Sequence, residues 1–503
     1  MLFLRLRRAY QLVFLGLFLY LVFVTTASLI GGYPVEWFLG LDPLVATSTA
    51  LASHALTLAT AWAIPLIVLT LIFGRFFCGW MCPFGTLHHA LGWASKIRRA
   101  RDRVALNRPR RIYHLKYYVL LVMLGMAAMG STQVGLLDPI AFTWRALATS
   151  IVPAIDNTAL GLYQGQRHFQ TSTLIVALFL GALAANLYIP RLYCRLICPL
   201  GGLLGLLARF SLFRLEKQPS LCTECDFCGA DCQGAAEPQG TLRVSECMLC
   251  LNCQVTCPRE GIRYRFLPSL DLTTDKLDFG RRQSLGALLG GIAAVPLLRA
   301  SDGTGPRPNP QRIRPPGAVE EEAFLSRCIK CGACMKACPT SGLQPALTEA
   351  GFEGLWTPVL VPRLGYCEQS CVLCSHVCPT EALVPLDVER KIGKAPHTEP
   401  VRIGSAFIDR GRCLPWAMDT SCIVCEEVCP TAPKAVYFKE ATVTTRDGGR
   451  KTLKQPYVDL DRCTGCGICE TRCPVFDQAA IRVTSVGETR SGVNRIMLTG
   501  GRI

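Results

Sequence analysis

Residues 75–87 read RFFCGWMCPFGTL, and residues 191–203 read RLYCRLICPLGGL. Both carry an arginine, a C-x-x-x-C-P run and a following glycine in the same order. Upstream of each, GLDPLVATSTAL (40–51) echoes LLDPIAFTWRAL (136–147). Apolar segments frame these motifs at Ala9–Ile30, Leu56–Gly74, Val119–Val134 and Ser172–Ile189. Each approaches the roughly 20 residues needed to cross about 30 Å of hydrocarbon. The pattern predicts a four-span membrane unit over residues 1–215, built from two two-helix repeats about a pseudo-twofold axis along the membrane normal. That axis brings Cys78, Cys82, Cys194 and Cys198 to one face, where C-x-x-x-C sets both thiols of a motif on one side of a helix. They form a candidate redox or metal site. The competing reading is a proline-shaped turn with the thiols packed as small hydrophobes.

Composition agrees with a membrane protein. Of 503 residues, 50% are hydrophobic and 18% charged, and the mean hydropathy is +0.30, too apolar for an ordinary soluble chain. The net charge of +16 raises nucleic acid as a partner, but its distribution excludes that reading. Lys96, Arg98, Arg99, Arg101, Arg103, Arg108, Arg110, Arg111 and Lys116 face only Asp102 between the second and third spans. The loop 31–55 holds no Lys or Arg, and 135–171 holds only Arg145 and Arg167. By the positive-inside rule both ends of the four-span unit are cytoplasmic. Near the interface, His54, His88 and His89 are candidates for a quinol site, because an imidazole titrates near neutrality. Asp42 and Asp138, each before a proline, fit helix N-caps or quinol partners.

The remaining cysteines form a ladder of six tetrads. Cys222, Cys225, Cys228 and Cys232 are followed by Cys247, Cys250, Cys253 and Cys257. After a gap come Cys328, Cys331, Cys334 and Cys338, then Cys367, Cys371, Cys374 and Cys378. Cys413, Cys422, Cys425 and Cys429 precede Cys463, Cys466, Cys469 and Cys473. Three cysteines at two-residue intervals wrap three corners of a cubane in one loop, and the fourth reaches the neighbouring cluster of a two-cluster ferredoxin. Zinc sites use separated C-x-x-C pairs or histidines instead. The expectation is six [4Fe–4S] clusters, with small α+β ferredoxin-like domains at 216–265 and 324–503. The ferredoxin rule joins Cys222, Cys225 and Cys228 with Cys257, and Cys247, Cys250 and Cys253 with Cys232. Among the last four groups, adjacent and nested pairings both remain open. Asp447-Gly448-Gly449 predicts a hairpin turn. No GxGxxG or Walker loop is present, so the cluster regions read as wiring without a substrate pocket.

Between the two ladders lies FGRRQSLGALLGGIAAVPLLRA (279–300), a twin-arginine-like signal in the middle of the chain. No A-x-A-like cleavage site follows, so the segment 266–300 is expected to be an uncut fifth span. Residues 301–323 read as a Pro-rich linker.

The order of parts resembles two families in one chain. Residues 1 to about 265 are similar to the NapH/MauN family of four-span membrane ferredoxins. Residues from about 279 are similar to the NapG/MauM family of twin-arginine-exported four-cluster ferredoxins. The resemblance implies electron transfer from quinol in the bacterial inner membrane to a periplasmic oxidoreductase, of a nitrate reductase-like or amine dehydrogenase-related system. It implies membrane lipid, quinone and a periplasmic redox protein as partners, a cytoplasmic first ferredoxin domain and a periplasmic second one. The CxxxCP cysteines would add an iron–sulfur or metal centre. The rival resemblance is to CcoG-type accessory proteins, which implies metal (copper) reduction in oxidase maturation.

Overall fold

The computed structural model describes residues 2–27, 30, 35–55, 61–94, 100–160, 167–223, 225–266, 280–300, 309–396 and 398–495. The duplication seen in the sequence is present in the fold. In each half a short helix starts on an aspartate cap: Pro43–Ser53 on Asp42 and Pro139–Ala146 on Asp138. Asp42 Oδ1 accepts from the Leu44 amide at 2.8 Å, and Asp138 Oδ1 from the Ala141 amide at 2.9 Å. Proline follows each cap, where its missing N–H costs nothing. An apolar helix then runs to the cysteine motif: Ile64–Phe73 in the first half, Ser172–Ala184 in the second. The motifs are one-turn helices, Phe76–Trp80 and Leu192–Leu196, followed by Pro83–Ala94 and Pro199–Ala208.

The expected spans differ from the helices observed. Among the described residues, Phe3–Val24 and Arg281–Ala300 are long and apolar enough to cross a membrane. The first span begins earlier than expected, at Leu2, and ends at Val24. The other three appear as helices of 10, 14 and 13 residues, Ile64–Phe73, Leu115–Ala128 and Ser172–Ala184. At 1.5 Å per residue these measure about 15–21 Å. Their ends have local causes: Gly74 and Gly130 take positive φ, and Ala185–Leu187 tightens into a 3₁₀ turn before Pro190. The start of the second expected span, 56–60, lies outside the described residues.

The Arg281–Ala300 helix lies alongside Leu115–Ala128. Two glycines permit the close approach: a Cβ on Gly291 would stand 2.1 Å from the Val122 carbonyl oxygen, and one on Gly125 2.5 Å from that of Leu288. Small residues at such crossings let helix backbones touch, as at membrane helix interfaces. Tyr118 Oη donates to Gln283 Oε1 at one end of this pair, while Arg299 meets Glu353 at 2.9 Å at the other.

Three cysteine-bearing units close on paired strands. Phe213–Lys217 pairs antiparallel with Ile262–Phe266 around the first two tetrads. A bridge between Ala318 and Leu383 brackets the third and fourth, and Ser405–Ile408 pairs with Ile481–Thr484 around the last two. The expected hairpin is a pair of strands, Val436–Thr444 and Arg450–Val458, inserted in the last unit. Residues 309–323 correct the linker expectation. Arg314 is buried and paired with Glu321 at 2.6 Å, so this stretch belongs to the folded C-terminal body. Residues 267–279 and 301–308 lie outside the described residues.

The first unit and the C-terminal body meet opposite ends of the helical unit. At the start of Leu115–Ala128, Lys116 and Tyr117 bond Glu246 of the first unit. Just past its end, Thr132 and Gln133 bond Ser326 and Glu353 of the C-terminal body.

Candidate functional site

All 28 cysteines carry free thiols. In three places four of them line one cavity. Cys222, Cys225 and Cys228 share theirs with Cys257. Cys367, Cys371 and Cys374 share theirs with Cys338, and Cys413, Cys422 and Cys425 with Cys473. Each set takes three thiols from one motif and the fourth from the adjacent motif. The complementary sets lie within reach of one another's charge: Cys253 with Cys250, Cys247 and Cys232, Cys334 with Cys331, Cys328 and Cys378, and Cys469 with Cys466, Cys463 and Cys429. The pairing left open by spacing is therefore adjacent: third group with fourth, fifth with sixth.

The loops suit an iron–sulfur cluster. In Cys247–Cys253, Cys328–Cys334 and Cys463–Cys469 the second and fourth residues after the first cysteine all have positive φ: Leu249 and Leu251, Lys330 and Gly332, Gly465 and Gly467. Left-handed residues alternating with right-handed ones turn successive amides toward one concave side, a nest for an anion. Three non-glycine residues hold this costly conformation, which fits a loop shaped around an anionic group. Each loop leads into a short helix carrying its third cysteine: Asn252–Thr256, Ala333–Ala337 or Ile468–Arg472.

The four cysteines of the duplicated motifs also converge. Cys82 feels the charge of Cys78 and Cys194, and Cys198 that of Cys194, Cys78 and Cys82. Cys82, Cys194 and Cys198 are buried and Cys78 is partly buried. Cys82 Sγ accepts from the Gly85 amide at 3.4 Å, and Cys198 Sγ from the Gly201 amide at 3.2 Å. Each repeat's arginine packs on the other repeat's glycine: a Cβ on Gly201 would lie 3.0 Å from Arg75 Nη2, and one on Gly85 3.5 Å from Arg191 Nη1.

His88 and His89 line a cavity of about 180 Å³ together with Arg7, Trp93, Asn186 and Cys232. The His88 ring is buried beside the Asn186 side chain. Burial, with the Arg191 charge, holds its pKa down to about 4, so the ring is neutral near pH 7. His89 Nε2 lies 3.2 Å from Arg7 Nη2. His54 stands apart. It is exposed and ends Pro43–Ser53 in a left-handed conformation (φ 51°), where the neighbouring Ala52 carbonyl lies by Gly130, toward the C-terminal body. Asp42 and Asp138 are fully buried caps whose carboxyls lie beside one another. Burial pushes both carboxyl pKa values up, and each side chain acts on the other.

Sequence reasoning missed the buried charges that fasten the units. Glu246, beside Cys247, pairs with Lys116 and lies 3.7 Å from Arg75. Arg145 and Arg167, the two cations left over in the topology count, point at carbonyls of the third tetrad: Arg145 at Lys330 (3.1 Å), Arg167 at Lys336 (2.9 Å) and Cys338 (2.6 Å). Their isolation in an otherwise cation-free loop was the available signal.

Comparison with known proteins adds the family. A 4Fe-4S binding domain model matches residues 55–101 and 171–218, a 4Fe-4S dicluster domain model matches 420–476, and a second 4Fe-4S binding domain model matches 324–343. The ferredoxin-type protein NapG of Escherichia coli is 36% identical over 209 residues, 41% of this chain and 85% of that protein. The methylamine utilization ferredoxin-type protein MauM of Methylobacillus flagellatus is 35% identical over 244 residues, 47% of this chain and 94% of that protein. The regulatory protein NosR of Pseudomonas aeruginosa is 33% identical over 190 residues, only 24% of its own length. No solved structure matches.

Proposed function

The chain belongs to the family of ferredoxin-type proteins that includes NapG and MauM, and from that premise we propose that it is a membrane-bound polyferredoxin carrying electrons from quinol to a periplasmic redox partner. Its coarser character, a ferredoxin-type electron-transfer protein with 4Fe–4S domains, follows from the family. In the finer reading six [4Fe–4S] clusters are held by the six ligand sets described above, and residues 1 to about 265 act as a NapH/MauN-type unit fused to the exported one. Each bound cluster supplies reversible one-electron storage. The protein supplies the thiolates, the amide-lined loops and the spacing.

One observation carries the reading: the two cysteine-bearing bodies sit at opposite ends of the helical unit, with the Arg281–Ala300 helix running between them along Leu115–Ala128. Exposed Arg281 and Arg282 open that helix at the end of the first unit. This arrangement favours an uncut fifth span, with the basic end cytoplasmic and the C-terminal body periplasmic. The cavity beneath His88 is the quinol site in this reading. The neutral imidazole there positions quinol by accepting a hydrogen bond from its hydroxyl beside Cys232, since a pKa of about 4 leaves the ring too weak a base to hold the released proton near pH 7.

Anaerobic addition of a quinol analogue to the purified full-length protein, followed by EPR of reduced clusters, tests the direction of flow. Quinol is expected to reduce clusters in the wild type and far fewer in His88→Leu. Clusters that dithionite reduces and quinol leaves oxidised would overturn the reading. A reporter fused after Ile503 tests sidedness, and activity confined to a cytoplasm-only reporter would remove the periplasmic assignment.

A further inference from the structure

We propose that Lys391 sets the reduction potential of the cluster held by Cys338, Cys367, Cys371 and Cys374, at the junction between the two halves of the C-terminal body. This inference rests on the reading above that these thiols hold clusters and pass electrons between them.

The lysine comes from outside the cysteine motifs. Between Cys378 and Cys413 the chain forms a one-turn helix, Val388–Lys391, that begins at Asp387. Two contacts hold the approach to it against the fourth tetrad: His376 Nε2 lies 3.0 Å from the Leu386 carbonyl, and Ser375 Oγ accepts from the Leu386 amide at 3.2 Å. The Val401 amide donates to the Lys391 carbonyl at 2.9 Å and secures the helix end. Lys391, 8% exposed, then turns its side chain back into the tetrad. Its Nζ donates to Cys367 Sγ at 3.2 Å and to the carbonyls of Glu368 and Cys371, each at 2.6 Å.

Charge distinguishes this contact. The ammonium has two carbonyls and one sulfur as acceptors, and among the described residues no carboxylate lies within ion-pair distance of it. A buried cation without a counter-charge is costly, and the thiolates of a bound cluster supply one. Other thiols of the ferredoxin ladder accept from neutral amides: Cys232 from Ala236 at 3.2 Å, Cys257 from Gly261 at 3.3 Å and Cys473 from Ala480 at 3.4 Å. A charged donor makes a hydrogen bond roughly twice as strong as a neutral one. It favours the more negative, reduced state and so lifts the potential, which hydrogen bonds to the sulfurs and local charge control.

Position gives the charge its use. The Cys367 amide donates to the Cys466 carbonyl at 2.7 Å and so joins the fourth tetrad to the last. Cys367, Cys466 and Lys391 line one small cavity with Ile403 and Thr464. On the other side stands the set Cys328, Cys331, Cys334 and Cys378, whose loop carbonyl at Lys330 meets Arg145 of the helical unit. An electron that enters from the helical unit at that set crosses the site beside Lys391 before it reaches Cys466. One electron moves at a time: the Cys328 centre is oxidised as the centre beside Lys391 is reduced, and the latter is reoxidised as the Cys466 centre is reduced. Quinol is the source and the periplasmic partner the sink, and no bond in the chain forms or breaks.

Redox titration of the full-length protein with dithionite and mediators, followed by EPR, tests this. In Lys391→Met one midpoint should fall while the others hold. The constant for reducing that cluster should drop about tenfold, which is about 59 mV for a one-electron couple. Lys394→Met removes an exposed cation from the same stretch and should move no midpoint. Unchanged or raised midpoints in Lys391→Met, or an equal fall in Lys394→Met, overturn the proposal. Iron and acid-labile sulfide are measured alongside. If Lys391→Met loses the cluster, the midpoint is read in Lys391→Gln, which keeps a donor and removes the charge. Loss of iron from both variants makes the lysine a structural clamp and overturns the proposal. Because dithionite supplies the electrons, a wild type that quinol cannot reduce sinks the quinol reading and leaves the Lys391 result standing.

Discussion

The two ends of the helical unit fasten their ferredoxin bodies in different ways. At the first unit one buried acid, Glu246, answers two buried cations: Lys116 is bonded to it and Arg75 lies 3.7 Å away, with Tyr117 Oη donating at 2.9 Å. At the C-terminal body the cations point at backbone oxygens. Arg145 bonds the carbonyls of Gly135, Leu136 and Lys330, and Lys336 bonds that of Thr25 at 3.1 Å. A seam that depends on one carboxylate fails at one residue, whereas a seam spread over many neutral acceptors weakens by degrees.

Glu246→Ala gives the largest effect. It leaves Arg75 and Lys116 buried without a counter-charge, and breaking a buried pair from one side costs about 3–5 kcal/mol. Hydrogen exchange of residues 213–266 should rise sharply while the C-terminal body keeps its protection. Equal loosening at both ends would show that the seams are not independent.

The next effect separates the bodies by pH. Burial alone would raise the Glu321 pKa, but Arg314, bonded to it at 2.6 Å, together with Arg312 and Arg490, holds it at about 2 against an ordinary 4.5. A carboxylate with a depressed folded-state pKa contributes stability that is fully present above its unfolded pKa and is lost as pH falls toward the folded one. The contribution is at most about 3 kcal/mol, present above pH 4.5 and declining between 4.5 and 2. Acid titration followed by circular dichroism should show the decline in the wild type and its absence in Glu321→Gln.

Arg145→Gln acts on the second seam. The guanidinium serves three carbonyls and stacks on Trp356 at 4.6 Å. Removing it leaves buried acceptors unmet, about 2 kcal/mol when neighbouring donors absorb part of the loss. Faster amide exchange over residues 329–338, with residues 213–266 unchanged, is the expected outcome.

Much of the site was legible because iron–sulfur chemistry writes itself into local spacing. The six tetrads, the duplicated CxxxCP motifs and the apolar helix after Arg281–Arg282 are all sequence-local. Pairing among the last four groups was not local: it depends on Ala318 meeting Leu383 and Ser405–Ile408 meeting Ile481–Thr484 across long separations. The Leu115–Ala128 helix starts and ends earlier than the apolar run Val119–Val134, because hydropathy does not register where Gly130 turns the backbone. The seam residues were invisible for a related reason. Lys116 in a basic loop looks like a topology signal until Glu246 is folded against it.

The smallest effect lies at the rim of the first seam and bounds the comparison from below. Arg103 Nη1 sits 3.1 Å from Asp231 Oδ1, with both side chains about one-third exposed. Water screens such a pair and side-chain entropy opposes it, so a double-mutant cycle with Arg103→Gln and Asp231→Asn should give a coupling of about 0–1 kcal/mol. Because the Debye length shortens to about 3 Å at 1 M salt, that coupling should vanish in high salt, while the penalty of Glu246→Ala persists. A coupling as large as the Glu246 effect would mean that the first seam is held at its rim as much as at its buried acid. The contrast between one dispensable exposed pair and one indispensable buried carboxylate would then disappear.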